Sequence, residues 1–319
     1  MEIWESTMDG MKPHLLVLGG TGYIGQMICS KAIKLGWRVD SFSQDKAKKK
    51  FNRVKKVKYL TGDLISDKEN IKKNFSSYDY IVNAAGYVDH TPLFKGGKKN
   101  IDNHFSLIVH LIQIIKKDKL KMFVQIGSSD EYGGNPAPQN ENLRENPISP
   151  YSLGKVATTH FLQMLSKTER FTAVILRIFL TYGPGQSRNR FIPQIIYGCE
   201  KNLSFPTSEG MQIRDFCYID DIIDAIFLTF KTENISGEVI NIASGKPIIV
   251  RDVVQKIKDL IGKGKPNYGG HPYRKSENME LYADINKSKK LLNWEPKISL
   301  EEGLKKTINW YLKDGQTLS

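Results

Sequence analysis

The chain has 319 residues, 40% hydrophobic and 25% charged, a globular composition with room for one large α/β domain or a domain with a smaller lobe. It has no apolar run near the roughly 18 residues of a membrane span, and its three scattered cysteines predict reduced thiols in the cytoplasm and no metal site. The formal net charge of +13 comes from dispersed lysines, so we expect a solvated basic surface that attracts small anions and no nucleic-acid partner.

The first segments alternate between strand and helix patterns. We expect residues 1–12 to form a disordered leader, because they carry acidic residues and no apolar core. His14 to Leu18 is an apolar run typical of a buried strand, and helical spacing of apolar residues follows it up to Leu35. Further strands are predicted at 37–42, 57–60, 80–84, 121–126 and 173–179, and further helices at 103–117 and from Tyr151. This alternation predicts a doubly wound parallel sheet of the Rossmann type.

After about Tyr182 the alternation becomes irregular, because glycines and prolines interrupt shorter elements. Later elements are predicted as a helix at 220–230, a strand at 237–243 and a helix at 300–312. The fold class predicted is therefore α/β, with a doubly wound domain at 13–182 and a smaller mixed C-terminal lobe, mainly substrate-binding, at 183–319. Part of that lobe, about 212–245, is expected to return to the main domain.

A glycine loop joins the first strand to the first helix. Gly19 permits a tight turn, Gly22 lets the backbone approach phosphates, and Gly25 lets the helix pack closely on the sheet. The helix N-terminus, with Tyr23 and Ile24 in its first turn, supplies amide donors and a favourable dipole. Strand, Gly-x-x-Gly-x-x-Gly and helix together predict that the main domain binds the pyrophosphate of a dinucleotide.

The end of the second strand bears on which dinucleotide is bound. An acidic residue there binds the ribose hydroxyls of NAD, but this strand ends at Ser43 with lysines close behind, an environment that accommodates a 2′-phosphate. We therefore favour NADP over NAD as the cofactor. NAD is the alternative cofactor, because a small loop shift would let Asp45 take the place of the ribose-binding acid.

Tyr151 and Lys155 stand four residues apart, which places them on one face of a helix. A neighbouring ammonium favours the phenolate, so Tyr151 could act as a base near neutral pH. The alternative is an amphipathic helix with a solvated lysine, and Ser128 by itself would be a plain turn serine. The order of the glycine loop, Ser128 and this pair along the chain favours the catalytic interpretation.

These motifs together resemble the extended short-chain dehydrogenase/reductases, in the group of nucleotide-sugar epimerases and dehydratases. The resemblance extends from Leu15 to about Leu312 and includes Gly62-Asp63-Leu64, Asn83-Ala84-Ala85-Gly86, Asn103 at the start of a helix, and Leu292 to Pro296. It implies catalysis by Ser128, Tyr151 and Lys155. It also implies cofactor contacts from Asp63, Leu64, Ala84, Ala85 and Gly86 and from Tyr151 and Lys155, the lysine bonding the nicotinamide ribose, in addition to the contact predicted for Ser43. Substrate contacts are implied for Ser129, Asp130, Arg214 and Arg274, the two arginines binding a diphosphate.

Three positions depart from the family pattern. Leu180 stands where the family has a substrate-binding asparagine. The loop Asp130-Glu131 is one residue shorter before Tyr-Gly than in the sugar 4,6-dehydratases, so we do not expect these acids to run an elimination. His90 either enters the site beside the cofactor or is a satisfied loop histidine, and the second interpretation is favoured.

The predicted activity is hydride transfer at C4 of a nucleoside-diphosphate sugar, with reduction of a 4-keto-6-deoxysugar favoured. The alternatives are a 4-epimerase with tightly bound NAD, then a 4,6-dehydratase, and, in another class, a non-catalytic dinucleotide sensor or RNA-binding relative. We expect a cytoplasmic homodimer without a membrane partner, with the helices at 103–117 and 151–167 as candidate dimer faces.

Overall fold

The computed structural model describes residues 12–44, 53–63, 71–72, 75, 77–273 and 277–313. Two compact units divide the chain. The first takes its residues from Met1–Glu131, Glu145–Arg177 and Ile226–Ile240, and the second from Tyr132–Arg144, Ile178–Ala225 and Asn241–Ser319. Within the described ranges, no helix is long and apolar enough to cross a membrane.

A seven-stranded sheet organises the first unit. Its strands, in chain order, are β1 His14–Leu18, β2 Arg38–Ser43, β3 Lys58–Thr61, β4 Tyr80–Asn83, β5 Met122–Ser128, β6 Ala173–Ile178 and, after three strands of the second unit, β10 Val239–Ile242. Their spatial order is β10-β6-β5-β4-β1-β2-β3, with parallel pairing. The chain reverses its direction of winding between β1 and β4, which is where doubly wound sheets bind ligands. The predicted fold class is confirmed.

Four helices belong to the first unit: α1 Tyr23–Lys34, α2 Lys98–Ile101, α3 Leu107–Ile114 and α4 Pro150–Thr168. α1, α3 and α4 each bury an apolar stripe. The buried side chains include Leu16, Ile81, Phe123 and Ile175 from the strands and Ile108, Leu111 and Leu162 from the helices. The central strands β4 and β5 are buried along their whole length.

The helix predicted at 103–117 is wrong in its bounds and its form. It begins at Lys98, passes through a π-helical turn at Asp102–Ser106 and ends at Ile114. Asn103 therefore lies inside the helix and does not open it. The first turn, α2, contains Lys98, Lys99 and the buried Asn100. Because these residues are polar, apolar periodicity does not predict that the helix begins there.

The second unit contains smaller sheets. Its strands are β7 Leu180–Tyr182, β8 Ser204–Pro206, β9 Ile213–Tyr218, β11 Pro247–Ile249, β12 Lys265–Asn267 and β13 Glu280–Leu281. β9 is central, since it pairs antiparallel with β11 and parallel with β7 and β13. The remaining helices are α5 Phe191–Glu200, α6 Ile219–Thr229, α7 Val250–Ile261, α8 Asn286–Leu292 and α9 Leu300–Lys313.

Candidate active site

The glycine loop after β1 packs against the loop after β4. Gly19 has a φ of +76°, and a β-carbon there would come within 2.7 Å of the Ala85 α-carbon. A β-carbon on Gly25 would overlap the main-chain oxygen of Gly19. The positive φ and these two close approaches explain why glycine is needed at both positions. Ala84 and Ala85 therefore lie against the glycine loop, at the place between β1 and β4 where the winding of the chain reverses.

The N-terminus of α1 has the properties of a phosphate site. Gly22 is its N-cap in an extended conformation, no side chain caps the helix, and no acid lies in its first turn. The first amides of a helix lack partners within the helix, and the helix dipole favours an anion there. The first turn, with Tyr23 and Ile24, therefore fits a dinucleotide pyrophosphate.

The adenosine end of the predicted cofactor site is described only in part. Ser43 ends β2, is partly exposed, and accepts a hydrogen bond through its main-chain oxygen from the Gly62 amide at 3.3 Å. Asp63 is exposed beside it. Leu64, Asp45 and, in the second unit, Arg274 lie outside the described residues.

Helix α4 begins at a defined start signal. Ser149 is the N-cap and forms a reciprocal capping box with Ser152, and Pro150 occupies the first helical position, where its missing amide hydrogen costs nothing. This start sets the rotation of the helix. Tyr151 and Lys155 consequently lie on its buried face, with 5% and 6% of their surface exposed.

Lys155 is buried and is therefore not the solvated lysine of the alternative interpretation. Its ammonium lies 5.9 Å from the centre of the Tyr151 ring and donates a hydrogen bond to the main-chain oxygen of Ile126 at 2.8 Å. Burial lowers the pKa of Lys155 to about 8, against the raising effect of the charges on Glu131 and Asp130. With a pKa of about 8 the ammonium still carries most of its charge at pH 7, where it favours the phenolate form of a neighbouring tyrosine.

Two imidazole rings lie against Tyr151. The His104 ring meets it edge-on, with centroids 4.9 Å apart at 84°, and the His90 ring does so at 5.8 Å and 79°. Burial, and next the charge of Lys155, lower the pKa of His104 to about 3, so this ring is neutral at physiological pH. A β-carbon on Gly86 would overlap the same ring. His104 therefore packs between Gly86, in the loop after β4, and Tyr151, a position that no sequence motif indicates.

Ser128 is held by a buried carboxylate. Its amide donates to Glu131 Oε1 at 2.9 Å, and its hydroxyl accepts from the Asp130 amide at 3.1 Å. Glu131 is fully buried and accepts hydrogen bonds from Thr159 at 2.8 Å and from Arg177 Nε at 3.0 Å. A buried charge requires such partners, and here they fix the loop that carries Ser128 and Ser129.

Glu131 and Asp130 point in different directions. Arg177 binds Glu131 and also Glu145, the latter at 2.5 Å, so Glu131 belongs to a buried ion network. Asp130 keeps 28% of its side chain exposed and lies 3.5 Å from His90 Nε2. The two acids therefore do not form a pair facing a common ligand, in agreement with the argument from loop length.

The second unit holds Arg214 on β9. Its guanidinium is buried, donates to the main-chain oxygen of Ile213 at 2.8 Å and pairs with Glu277. Leu180, the departure from the family pattern, is 37% exposed on β7. An apolar side chain at that position cannot replace the hydrogen bond of an asparagine.

The sequence profile of the NAD dependent epimerase/dehydratase family matches residues 15–243. The chain belongs to this family. A UDP-glucuronate 4-epimerase of Thermodesulfobacterium geofontis is 31% identical to it, over 93% of this chain and 95% of the relative. A human dTDP-D-glucose 4,6-dehydratase is 27% identical, over 97% of this chain and 93% of its own. The crystal structure of UDP-glucose 4-epimerase with UDP-glucose from Thermotoga maritima has a TM-score of 0.87 and 26% identity, covering 96% of this chain and all (100%) of that one.

Family membership confirms the resemblance inferred from the motifs and places the protein among enzymes of the isomerase and oxidoreductase kind. Within the first unit, the fold brings the glycine loop, Ala84 to Gly86 and the buried α4 pair to the carboxyl ends of neighbouring strands. Sequence reasoning missed His104 and the role of Glu131. His104 belongs to no spacing motif, and the role of Glu131 depends on Thr159 and Arg177, which are distant from it in the chain.

Proposed function

We propose that the protein is an NAD-dependent 4-epimerase of nucleoside-diphosphate sugars, with UDP-hexoses and UDP-hexuronates as first candidates. The observation that carries the proposal is the buried Tyr151–Lys155 pair on α4, in the same unit as a glycine loop that fits a pyrophosphate. Support for 4-epimerisation comes from the UDP-glucuronate and UDP-glucose 4-epimerases to which the chain is similar over nearly its whole length.

The proton chemistry follows from the residues of the first unit. Tyr151, as phenolate, takes the proton of the sugar 4-hydroxyl and later returns it to the C4 oxygen. Lys155 favours the phenolate by its charge, and Ser128 donates a hydrogen bond to the same oxygen. A nicotinamide dinucleotide held by the glycine loop and Ala84 to Gly86 would supply reversible hydride transfer at C4.

Cofactor contacts are proposed for the glycine loop, for Asp63 and Leu64, and for Ala84, Ala85 and Gly86. NAD is proposed because the family is defined by NAD-dependent enzymes. The preference for NADP inferred from Ser43 stays a prediction, as does dimerisation. On the substrate side, Ser129 and Asp130 are proposed to contact the sugar and Arg214 and Arg274 the diphosphate, for which Arg214 would exchange its bond to Glu277.

Net reduction of a 4-keto sugar, the first expectation from the sequence, stays a prediction without support from the relatives reported above. Dehydration through an Asp–Glu pair, as the resemblance to the sugar 4,6-dehydratases would imply, is disfavoured by a specific contact. Glu131 is committed to Arg177 and Thr159 in the interior, so it cannot act with Asp130 on a sugar.

The test begins with denaturation of the purified protein and identification of any released NAD or NADP. The protein is then incubated with UDP-glucose and UDP-glucuronate, and the 4-epimers are separated chromatographically. We expect NAD and epimer formation, with a loss of roughly 10²- to 10⁴-fold in kcat for Tyr151→Phe, as for removal of a general base. Tyr197→Phe, at an exposed tyrosine of α5, is the matched control. Stoichiometric NADPH consumption, or full activity of Tyr151→Phe, would contradict the proposal.

A further inference from the structure

We propose that His90 and Asp130 form a second acid–base pair, which removes and returns a proton at a sugar carbon adjacent to the C4 carbonyl. The inference rests on the proposed function, because that carbonyl is the intermediate of 4-epimerisation. It adds an activity to the same site: exchange of a carbon-bound hydrogen at C3 or C5 with solvent.

The pair is attached to the segments that carry the proposed catalytic residues. His90 Nε2 lies 3.5 Å from Asp130 Oδ2, and His90 Nδ1 lies 3.4 Å from the hydroxyl of Ser149, which caps the helix of Tyr151. The Asp130 amide donates to the hydroxyl of Ser128. With the ring of His90 against Tyr151, the pair lies beside both groups proposed to hold the C4 oxygen.

Both contacts of the imidazole are longer than ordinary hydrogen bonds, which span 2.7–3.2 Å. Neither nitrogen is therefore fixed in one bond, and 39% of the His90 side chain and 28% of the Asp130 side chain remain exposed. Catalytic hydrogen bonds are often long before the substrate binds. An imidazole with a carboxylate at one nitrogen is the arrangement that makes histidine a general base.

His104 provides the contrast within the same site. It also lies against Tyr151, but burial keeps it neutral and its Nε2 faces the main-chain oxygen of Tyr87 at 3.4 Å. With its pKa lowered to about 3, the His104 ring stays neutral near pH 7 and does not carry a proton there. His90 has the exposure and the acidic partner that His104 lacks, so of these two rings it is the one suited to proton transfer.

The chemistry needs no additional reagent. Once C4 is a ketone, a hydrogen on C3 or C5 is acidic, because its loss gives an enolate whose charge rests on the C4 oxygen. His90 takes that proton, the carbon–hydrogen bond breaks, and its electrons move towards the oxygen that Ser128 and Tyr151 bind. The imidazolium, stabilised by Asp130, returns a proton to the same carbon after exchange with water.

The experiment is turnover of UDP-glucose and UDP-glucuronate in deuterium oxide, with recovery of both 4-epimers. Proton NMR and mass spectrometry report deuterium at C3 or C5 per 4-epimerisation event. We expect incorporation by the wild-type enzyme and a decrease of roughly 10²-fold per event in His90→Gln, the effect of one general base. Asp130→Asn should lower the same ratio. His160→Gln is the matched control, since His160 lies on α4, is exposed and pairs with Glu145 at 3.2 Å.

The outcomes separate the two proposals. Epimerisation without deuterium in the wild-type product, or an unchanged ratio in His90→Gln, overturns the acid–base pair and leaves 4-epimerisation intact. If no nucleotide sugar is epimerised, the proposed function fails, and an NDP-4-keto-6-deoxysugar supplied directly then tests the pair. Exchange that depends on His90 supports it in that assay, and exchange no faster than in buffer overturns it.

Discussion

Lys155 donates a hydrogen bond to the main-chain oxygen of Ile126 at 2.8 Å, and only 6% of the surface of Lys155 is exposed. The contact ties helix α4 to strand β5 and holds the ammonium near Tyr151. Because the same burial lowers the lysine pKa to about 8, the charge that favours the phenolate is available only below that pH. This relationship predicts that the proposed 4-epimerase activity depends on pH in a definite direction.

We expect kcat/KM for 4-epimerisation to fall as pH rises through about 8, since Lys155 then loses its proton and no longer favours the Tyr151 phenolate. Lys155→Arg replaces it with a cation that stays charged over the whole range. The variant should be slower but should lack this decline. The measurement is kcat/KM of both enzymes from pH 6 to 10. An identical decline in the arginine variant would show that a group other than Lys155 causes the pH dependence.

The buried carboxylate of Glu131 should contribute strongly to stability. Glu131→Ala should lower the free energy of unfolding by about 3 kcal/mol, the low end for breaking a buried ion pair, because Glu145 still faces Arg177. The measurement is a urea titration. Glu301→Ala, which removes the exposed partner of Lys305 on α9, should leave the midpoint unchanged. Equal effects of the two variants would show that the Glu131 network is not the stabilising feature described above.

The close approach of α1 to the glycine loop should control cofactor binding. In Gly25→Ala, the new methyl group overlaps the main-chain oxygen of Gly19 and must move the loop. We expect purified Gly25→Ala to release no NAD on denaturation, although it folds. Gly36→Ala is the control: its φ of +80° costs roughly 1–2 kcal/mol, but open space surrounds the added methyl group. Retention of the cofactor by Gly25→Ala would contradict the packing argument.

Local signals account for what could be predicted. The apolar run at His14–Leu18, the glycines after it and the Ser149-Pro150 helix start each depend on residues within a few positions, and the structure has the corresponding strand, loop and helix. The π-helical turn at Asp102–Ser106 could not be predicted in this way. Its sequence is polar, and its buried residue, His104, packs on segments distant in the chain.

The family, the order of the strands in the chain and the spacing that puts Tyr151 and Lys155 on one helical face could all be inferred from the residues alone. Periodicity and glycine positions encode these features, because they act over short stretches of chain. The folded structure was needed to show which side chains are buried and which residues they contact. It paired Glu131 with Arg177, 46 residues apart, and brought His90 to Tyr151 and Asp130. Burial and ion pairing determine the charge and the pKa of these side chains. Burial and pairing in turn depend on contacts between segments that are distant in the chain, which a local sequence pattern does not predict.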